Sequence, residues 1–380
     1  FLIGYLRCDK LSTIGDFMCE KDGRVVEMGY TAEELRTIDY ALASKCVKEL
    51  KILARSYYVR GSAKMRKQEL IAVVRQALLE PGRMAELIYM MSDKVWRDFQ
   101  KVRQCGSCPP TELDIDSLNG LLDLGYLFPV HEGKRLEMVV MPEEIQAVYQ
   151  KLCEEGLRER KERYDLLDRY ARAASNLYGV LPMEEFIEIF NAQNAQKTDL
   201  EEAASALIKH SVVEQLYCIW HGLLVVGDFA EDDFEGVEDL VARTDGKPRY
   251  VPAKDELLRY VDWNYYERTP EVLALEDFLA KEANLPILMA SQVITDIYFA
   301  IASESNMSEI FGILEDHHIT LKEDQLQPFM NRYAAMANTT RLWSNKGHTP
   351  SELFYGAKPE LRRAKKIGRN EPCPCGSGKK

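Results

Sequence analysis

The 380-residue sequence predicts a mainly α, multidomain protein with small β-hairpins. Three observations predict it. Apolar residues recur at helical spacing through most of the chain beyond residue 31. Two pairs of short apolar runs, around His131–Lys134 and around His221-Gly222, break that period and read as hairpins. The length suits roughly two to four domains, and 46% hydrophobic with 29% charged residues is the balance of a soluble globular chain.

Residues 1–30 are weakly patterned, and we expect a strand pair or an ordered extension there. The chain opens on Phe1, and FLIGYL is too short for a signal peptide, so we expect a longer natural chain trimmed at its front. Nine cysteines, odd in number and mostly single (Cys8, Cys19, Cys46, Cys153, Cys218), point to reduced thiols in a cytoplasmic protein. The longest apolar run, Leu285–Ser303, is interrupted by Ser291, Gln292, Thr295 and Asp296. It reads as a buried helix rather than a membrane span, and no integral-membrane role is expected.

The module at 31–80 is where the charge is concentrated. Thr31 and Glu34 form a capping box that opens a helix running to about Lys48. From Lys45 to Gln76 nine basic residues (Lys45, Lys48, Lys51, Arg55, Arg60, Lys64, Arg66, Lys67, Arg75) face two acids, Glu49 and Glu69. That is +7 inside a chain of net charge −12, which leaves −19 for the rest. Such a patch on an acidic protein is the footprint of a polyanion partner. Leu50, Leu53, Ala54 and Tyr57 recur at helical spacing, Gly61-Ser62 interrupt, and Leu70, Val73, Val74 and Ala77 resume. Two short helices joined by a tight loop are expected, with Arg60, Lys64, Arg66 and Lys67 at the loop and the second helix start. There, helix N–H groups and the helix dipole also favour phosphate.

The pattern L-x-x-L-A-R-x-Y-x-V-x-G-x-x-K-M-R-K-x-E-L-I resembles SAP-type helix-extension-helix modules, and most closely the small amino-terminal domain of the transcription terminator Rho. The resemblance covers about thirty residues and implies binding to DNA or RNA, with Arg55, Arg60, Lys64, Arg66 and Lys67 on phosphates.

Residues 81–155 continue with helical spacing from Met84 to Arg103, the breaker Cys105-Gly-Ser-Cys108-Pro-Pro, and a helix at about 112–124. The strands Tyr126–Val130 and Arg135–Met141 close the unit, in the order of a winged-helix domain. Residues 156–245 repeat that order. A charged helix, about 144–178, leads to Pro182–Phe190, a helix at Asp199–Lys209 capped by Thr198, and the hairpin 216–220 with 223–226. Glu112-Leu-Asp-Ile-Asp-Ser and Asp199-Leu-Glu-Glu place acids where a groove-entering helix carries Arg, Lys, Asn or Gln. Both units therefore read as spacers or partner surfaces.

The acidic run Asp228–Asp239 reads as a solvated loop rather than a metal site, because contiguous acids seldom converge on one ion. A helical domain occupies 246–356. In it, Tyr250, Trp263, Tyr265 and Tyr266 read as loop anchors rather than base-stacking groups, with helices at about 271–282, 286–303, 308–314 and 327–336. His317 and His318 point different ways at a helix end, so a shared metal is not expected. Asn338–Phe354 is expected to be a joint, Gly347 ending one helix and Thr349-Pro350 opening the next with Glu352 at its third position. Arg341, Asn345, Lys346 and His348 are polar enough for a ligand, which is the rival reading of this stretch.

The basic stretch 357–380 ends in Gly-Arg-Asn-Glu-Pro-Cys373-Pro-Cys375-Gly-Ser-Gly-Lys-Lys. It resembles the SEC-C zinc motif, named after the tail of the preprotein-translocase ATPase SecA. The family pattern continues through Tyr-Lys-x-Cys and a further His or Cys. The resemblance therefore implies zinc in the intact protein, held partly by Cys373 and Cys375, with the site incomplete in this chain. It also implies contact with proteins, ribosomes or acidic phospholipid. Cys105 and Cys108 are not expected to complete that site, nor to act as a redox pair, since no thioredoxin-like strand–helix context surrounds them.

The sequence thus reads as a non-enzymatic nucleic-acid-binding adaptor of the bacterial cytoplasm. A rival is an adaptor whose tail meets a ribosome, translocase or transcription protein. A third reading, a metal-dependent nuclease, lacks any convincing carboxylate–histidine cluster or phosphate loop.

Overall fold

The computed structural model describes residues 20–21, 24–25 and 30–356. The protein is mainly helical with small antiparallel sheets, and its chain divides into two compact units. One comprises residues 1–171 and 182–230, the other 172–181 and 231–380.

The first unit begins with a two-residue strand pair, β1 (Glu20–Lys21) with β2 (Arg24–Val25). The capping box at Thr31 and Glu34 forms as expected, with Glu34 Oε2 accepting from Thr31 N–H at 2.9 Å and Thr31 Oγ1 accepting from Glu34 N–H at 3.3 Å. The helix it opens is not continuous. A 3-10 turn at Glu34–Arg36 is followed by α1 (Ile38–Ser44), and the chain extends at Lys45 and Cys46 before α2 (Val47–Ser56). Glu49 starts α2 afresh by accepting from Cys46 N–H at 2.6 Å.

The 3-10 turn Ser62–Lys64 joins α2 to α3 (Lys67–Leu78). Leu50, Leu53, Ala54 and Tyr57 are buried against Leu70, Ile71, Val74 and Leu78. Val73 and Ala77, expected inside, are only partly buried, so the buried face of α3 is rotated towards Ile71 and Leu78. Each fully buried Leu or Ile contributes about 2 kcal/mol of transfer free energy.

The predicted run from Met84 to Arg103 is two helices, α4 (Pro81–Tyr89) and α5 (Asp93–Cys105). Ser92 breaks it, its hydroxyl accepting from Val95 N–H. Next come β3 (Ser107–Cys108), a 3-10 turn at Pro110–Glu112, α6 (Ile115–Asp123), β4 (Phe128–Glu132) and β5 (Arg135–Val140). The sheet order β3-β5-β4 includes a short strand that the apolar pattern did not announce.

The expected charged helix from 144 to 178 also splits, into α7 (Glu143–Glu154) and α8 (Leu157–Tyr178), at Gly156 with φ 87°. Then follow β6 (Val180–Pro182), α9 (Met183–Gln193), α10 (Leu200–Glu214), β7 (Tyr217–Trp220) and β8 (Leu223–Val226), in the sheet order β6-β8-β7. His221 and Gly222, both at positive φ (49° and 81°), make the two-residue turn that matches strand twist. Asp199, not Thr198, caps α10, accepting from Glu202 N–H at 2.9 Å, while Thr198 gives its hydroxyl to Glu202 at 2.6 Å.

The acidic run expected to be a loop contains the single turn α11 (Asp228–Glu231) and leads into α12 (Val237–Thr244), which buries Val237 and Leu240. The second unit continues with α13 (Lys254–Leu257), α14 (Pro270–Lys281), α15 (Ile287–Ala302), α16 (Met307–Asp316), α17 (Glu323–Thr339) and α18 (Pro350–Gly356). Its core joins Leu275, Phe278 and Leu279 of α14 to Val293, Ile294 and Ile297 of α15 and to Phe329 and Met336 of α17. The apolar run at 285–303 is therefore a helix buried along one face from Ala290 to Ala302, while Ile287, Leu288 and Met289 in its first turn are exposed, which the sequence reading did not expect. No described helix is long and apolar enough to cross a membrane. Of the expected anchors, Tyr266 is buried while Trp263 is exposed.

Candidate nucleic-acid interface

The nine cations of the 45–76 stretch fall into different environments. Lys45 Nζ sits 5.3 Å from the Phe128 ring centroid, Lys67 Nζ donates to Ala43 O at 2.6 Å, and Arg75 pairs with Asp39 at 3.1 Å. These three are tied to neighbouring elements. The Ala43 carbonyl lies in the last turn of α1, where a cation complements the helix dipole.

Arg55, Arg60, Lys64 and Arg66 are all exposed. Arg55 ends α2, Arg60 follows in the loop, Lys64 closes the 3-10 turn, and Arg66 is the residue before α3. The loop end of one helical hairpin thus carries four cations, and among the described residues no carboxylate forms a salt bridge with any of them. Arg55 Nε donates to Lys51 O at 3.2 Å, which steadies its stem along α2. Lys48, Lys51 and Arg55 repeat at i, i+3 and i+7, so they extend this positive loop along the α2 face opposite the buried leucines. At the start of α3, Glu69 Oε2 accepts from Arg66 N–H at 2.7 Å. A carboxylate therefore stands where the sequence reading placed a phosphate, and the side chains rather than the helix terminus supply the positive field.

The sequence reading missed Tyr58. The helix α2 ends at Tyr57 in a Schellman arrangement, with Val59 N–H donating to Ala54 O at 2.8 Å and Tyr58 N–H donating to Arg55 O at 2.9 Å. Tyr58 takes the left-handed position, φ 56°, with 54% of its surface exposed. No local signal marks this, because the nearest glycine is Gly61.

The polar stretch Asn338–Phe354 is occupied by its own fold. Arg341 is 8% exposed. Its Nε donates to Glu267 at 2.8 Å, and its Nη1 donates to Gly347 O at 3.0 Å and to Glu352 at 3.2 Å. Burial works against its charge, but Glu267 beside it more than compensates and raises its proton affinity above the ordinary arginine value. Lys247 Nζ donates to Ser344 O at 2.8 Å and Asn345 Oδ1 at 2.9 Å, and His348 Nδ1 lies 3.1 Å from Glu352. A Cβ on Gly347, at φ 80°, would meet the Tyr178 ring at 2.8 Å. This is the joint of the sequence reading, with one change: the preceding helix ends at Thr339 rather than at Gly347.

His317 Nε2 pairs with Asp296 at 2.6 Å. Among the described residues, no group of three or more His, Cys, Asp or Glu side chains is arranged to hold a metal. Among the described residues, Cys46, Cys105, Cys108, Cys153 and Cys218 are thiols, none of them in a disulfide. Burial, reinforced by Glu112, pushes the Cys108 thiol up to about 11, which disfavours a reactive thiolate. Cys373 and Cys375 lie outside the described residues. As a donor set, two thiolates at C-x-C spacing suit zinc and leave two of its four positions to other ligands.

Comparison with known proteins reaches a small part of the chain. No solved structure matches it. Similar proteins include the protein translocase subunit SecA of Syntrophobacter fumaroxidans, 68% identical over 25 residues, which are 7% of this chain and 3% of that protein. The SecA of Oleidesulfovibrio alaskensis is 60% identical over 38 residues, 8% of this chain and 4% of its own length. The chain thus spans only a few per cent of these relatives. A model of the SEC-C motif matches residues 369–380.

Proposed function

We propose that this protein is a non-enzymatic nucleic-acid-binding adaptor of the bacterial cytoplasm that holds phosphates at the loop end of its basic hairpin. One observation carries the reading: Arg55, Arg60, Lys64 and Arg66 stand exposed at the loop end of one hairpin, their side chains without salt bridges to carboxylates among the described residues, in a chain of net charge −12. Holding like charges together without internal neutralisation is unfavourable, and a phosphodiester backbone relieves it while releasing counterions. Lys67 adds to the field although its ammonium is already bound to Ala43 O. On this reading residues 31–80 are a SAP- or Rho-like module. Residues 81–155 and 156–245 are winged-helix-like spacers whose helices begin with acids, Asp116 in α6 and Glu201 and Glu202 in α10.

Reversing Lys64 and Arg66 to glutamate in the full chain tests this. Affinity for a labelled polynucleotide at low salt should fall by at least an order of magnitude. Unchanged affinity in a folded variant refutes the assignment.

The SEC-C match supports a second, compatible reading, in which residues 369–380 dock a protein of the translocation, translation or transcription machinery. Zinc held through Cys373 and Cys375 in the intact protein would shape that tail, a structural use of the metal with no open position for a substrate. Capture of partners before and after nuclease treatment separates the two readings: partners that survive are held by protein contacts.

A further inference from the structure

We propose that Arg103 and Arg158, both anchored on Tyr149, form a binding site for a phosphate dianion, either the free ion or a small phosphomonoester. The site shares no residue with the basic hairpin and stands independently of the reading above.

One buried ring organises the cluster. Tyr149 of α7 is 0% exposed and packs against Trp96 and Phe99 of α5. Its hydroxyl accepts from Gln100 Nε2 at 2.7 Å and from Arg158 Nε at 3.2 Å. The other end of the same carboxamide, Gln100 Oε1, accepts from Arg103 Nε at 2.8 Å. The guanidinium carbons of Arg103 and Arg158 lie 5.1 Å and 5.9 Å from the ring centroid. Helices α5 and α8 thus each send one cation to the hydroxyl end of one phenol.

Each arginine is tethered through Nε, and among the described residues no carboxylate or carbonyl accepts from its Nη groups. Cys153 also stands beside Arg158 and Tyr149, but a thiol is a weak acceptor. Among the described residues, Glu154, Glu155 and Glu159 flank Arg158 in sequence without a salt bridge to either arginine. Asp98, the acid nearest Arg103 in sequence, pairs with Lys101 at 2.9 Å. Arg163, further along α8, shows the structural alternative. Its Nε and both Nη groups are spent on Glu202, Gln196 O and Lys197 O.

The geometry selects the ligand. A single fork pairs with both oxygens of a carboxylate, whereas a phosphate group keeps a further oxygen for a second fork. Two positive charges match a dianion. Stems already fixed by Nε bonds and by the ring lose little rotamer freedom on binding. Arg158 is exposed and Arg103 half-buried, so both are open to a ligand from solvent.

A titration of the full chain at fixed ionic strength, read from the arginine Nε–H resonances in NMR, tests this. The probes are inorganic phosphate, glycerol 3-phosphate and acetate. Phosphate or its ester should shift the Arg103 and Arg158 signals with one common Kd of about 1 mM, and acetate should bind about tenfold more weakly. Arg103→Gln, read at Arg158, and Arg158→Gln, read at Arg103, should each weaken phosphate binding about tenfold. Arg158→Lys keeps the charge without the fork and should weaken it too. No saturable shift, two different Kd values, or wild-type affinity in any of these variants overturns the shared site. Acetate that binds as tightly as phosphate overturns the choice of a dianion. The Lys64/Arg66 reversal should leave the titration unchanged, and an equal loss there would replace the site with diffuse charge. The tighter of inorganic phosphate and glycerol 3-phosphate names the source of the dianion.

Discussion

The guanidinium carbon of Arg341 lies 3.6 Å from the ring centroid of Tyr250. One face of the cation is covered by the ring, and its edge is spent on Glu267, Glu352 and Gly347 O. Lysine cannot reproduce that planar fork. Arg341→Lys should therefore destabilise the second unit by about 3 kcal/mol, the cost of breaking a buried pair. A lower urea midpoint for that unit is the expected readout. A midpoint within error of the wild type would show that the contacts around Arg341 contribute nothing net.

In the first unit, Lys161 is 1% exposed and donates to Met91 O at 2.6 Å and Asp165 Oδ1 at 2.5 Å. His210 Nε2 is 3.5 Å from the same Asp165 oxygen, and Tyr217 gives its hydroxyl to Asp168 at 2.8 Å. Burial raises Asp165 to about 6 despite Lys161, with Asp93 and Asp168 adding to the shift. The folded carboxyl therefore binds its proton more tightly than the unfolded one. Its contribution to stability is full below about pH 4 and is lost as pH rises through about 6, on the order of 2 kcal/mol. Asp165→Asn removes this term, so the stability of wild type relative to the variant should decline between those limits and stay flat above them. Glu202, held down chiefly by its hydrogen bonds from Arg163, contributes with the opposite sign in both proteins and cancels in the difference.

Much of this molecule is legible in its sequence, and the exceptions share a cause. Helices whose apolar spacing stays in phase were found: α14 and α15 lie within a few residues of their expected bounds, and α2 and α3 form where two short helices joined by a loop were expected. What period alone does not mark is an interruption that leaves the phase intact. Lys45-Cys46 breaks one helix and Met90–Ser92 another, in each case because a Glu or Ser side chain caps a fresh start. The strands at Ser107–Cys108 and Val180–Pro182 are too short to alternate visibly. For the candidate site, the sequence supplied the cations but not their division. That Lys67 reaches Ala43, twenty-four residues away, depends on how α3 crosses α1. Tyr58 was hidden because its conformation is set by where α2 stops.

The same conformation makes a stability prediction independent of any ligand. Tyr58→Gly removes the Cβ that opposes φ 56° and should stabilise the first unit by about 1 kcal/mol. A raised urea midpoint would show that the left-handed backbone costs more than the contacts of the ring return. A lowered midpoint would assign the ring a structural duty.

The division of the cations yields the last prediction. Lys64 and Lys67 are three residues apart, yet one is exposed and the other donates to the carbonyl of Ala43. Lys64→Ala leaves no buried group unsatisfied, so stability should hold within about 0.5 kcal/mol. A phosphate contact is lost, however, and the slope of log affinity against log salt should shrink by about 0.7 on a single strand. Lys67→Met should do the reverse. The Ala43 carbonyl loses its donor, which costs about 1 kcal/mol in folding, while the salt slope changes less than for Lys64→Ala. If the two substitutions proved interchangeable in both measurements, the structural distinction between them would carry no functional weight, and all nine cations would act only as diffuse charge.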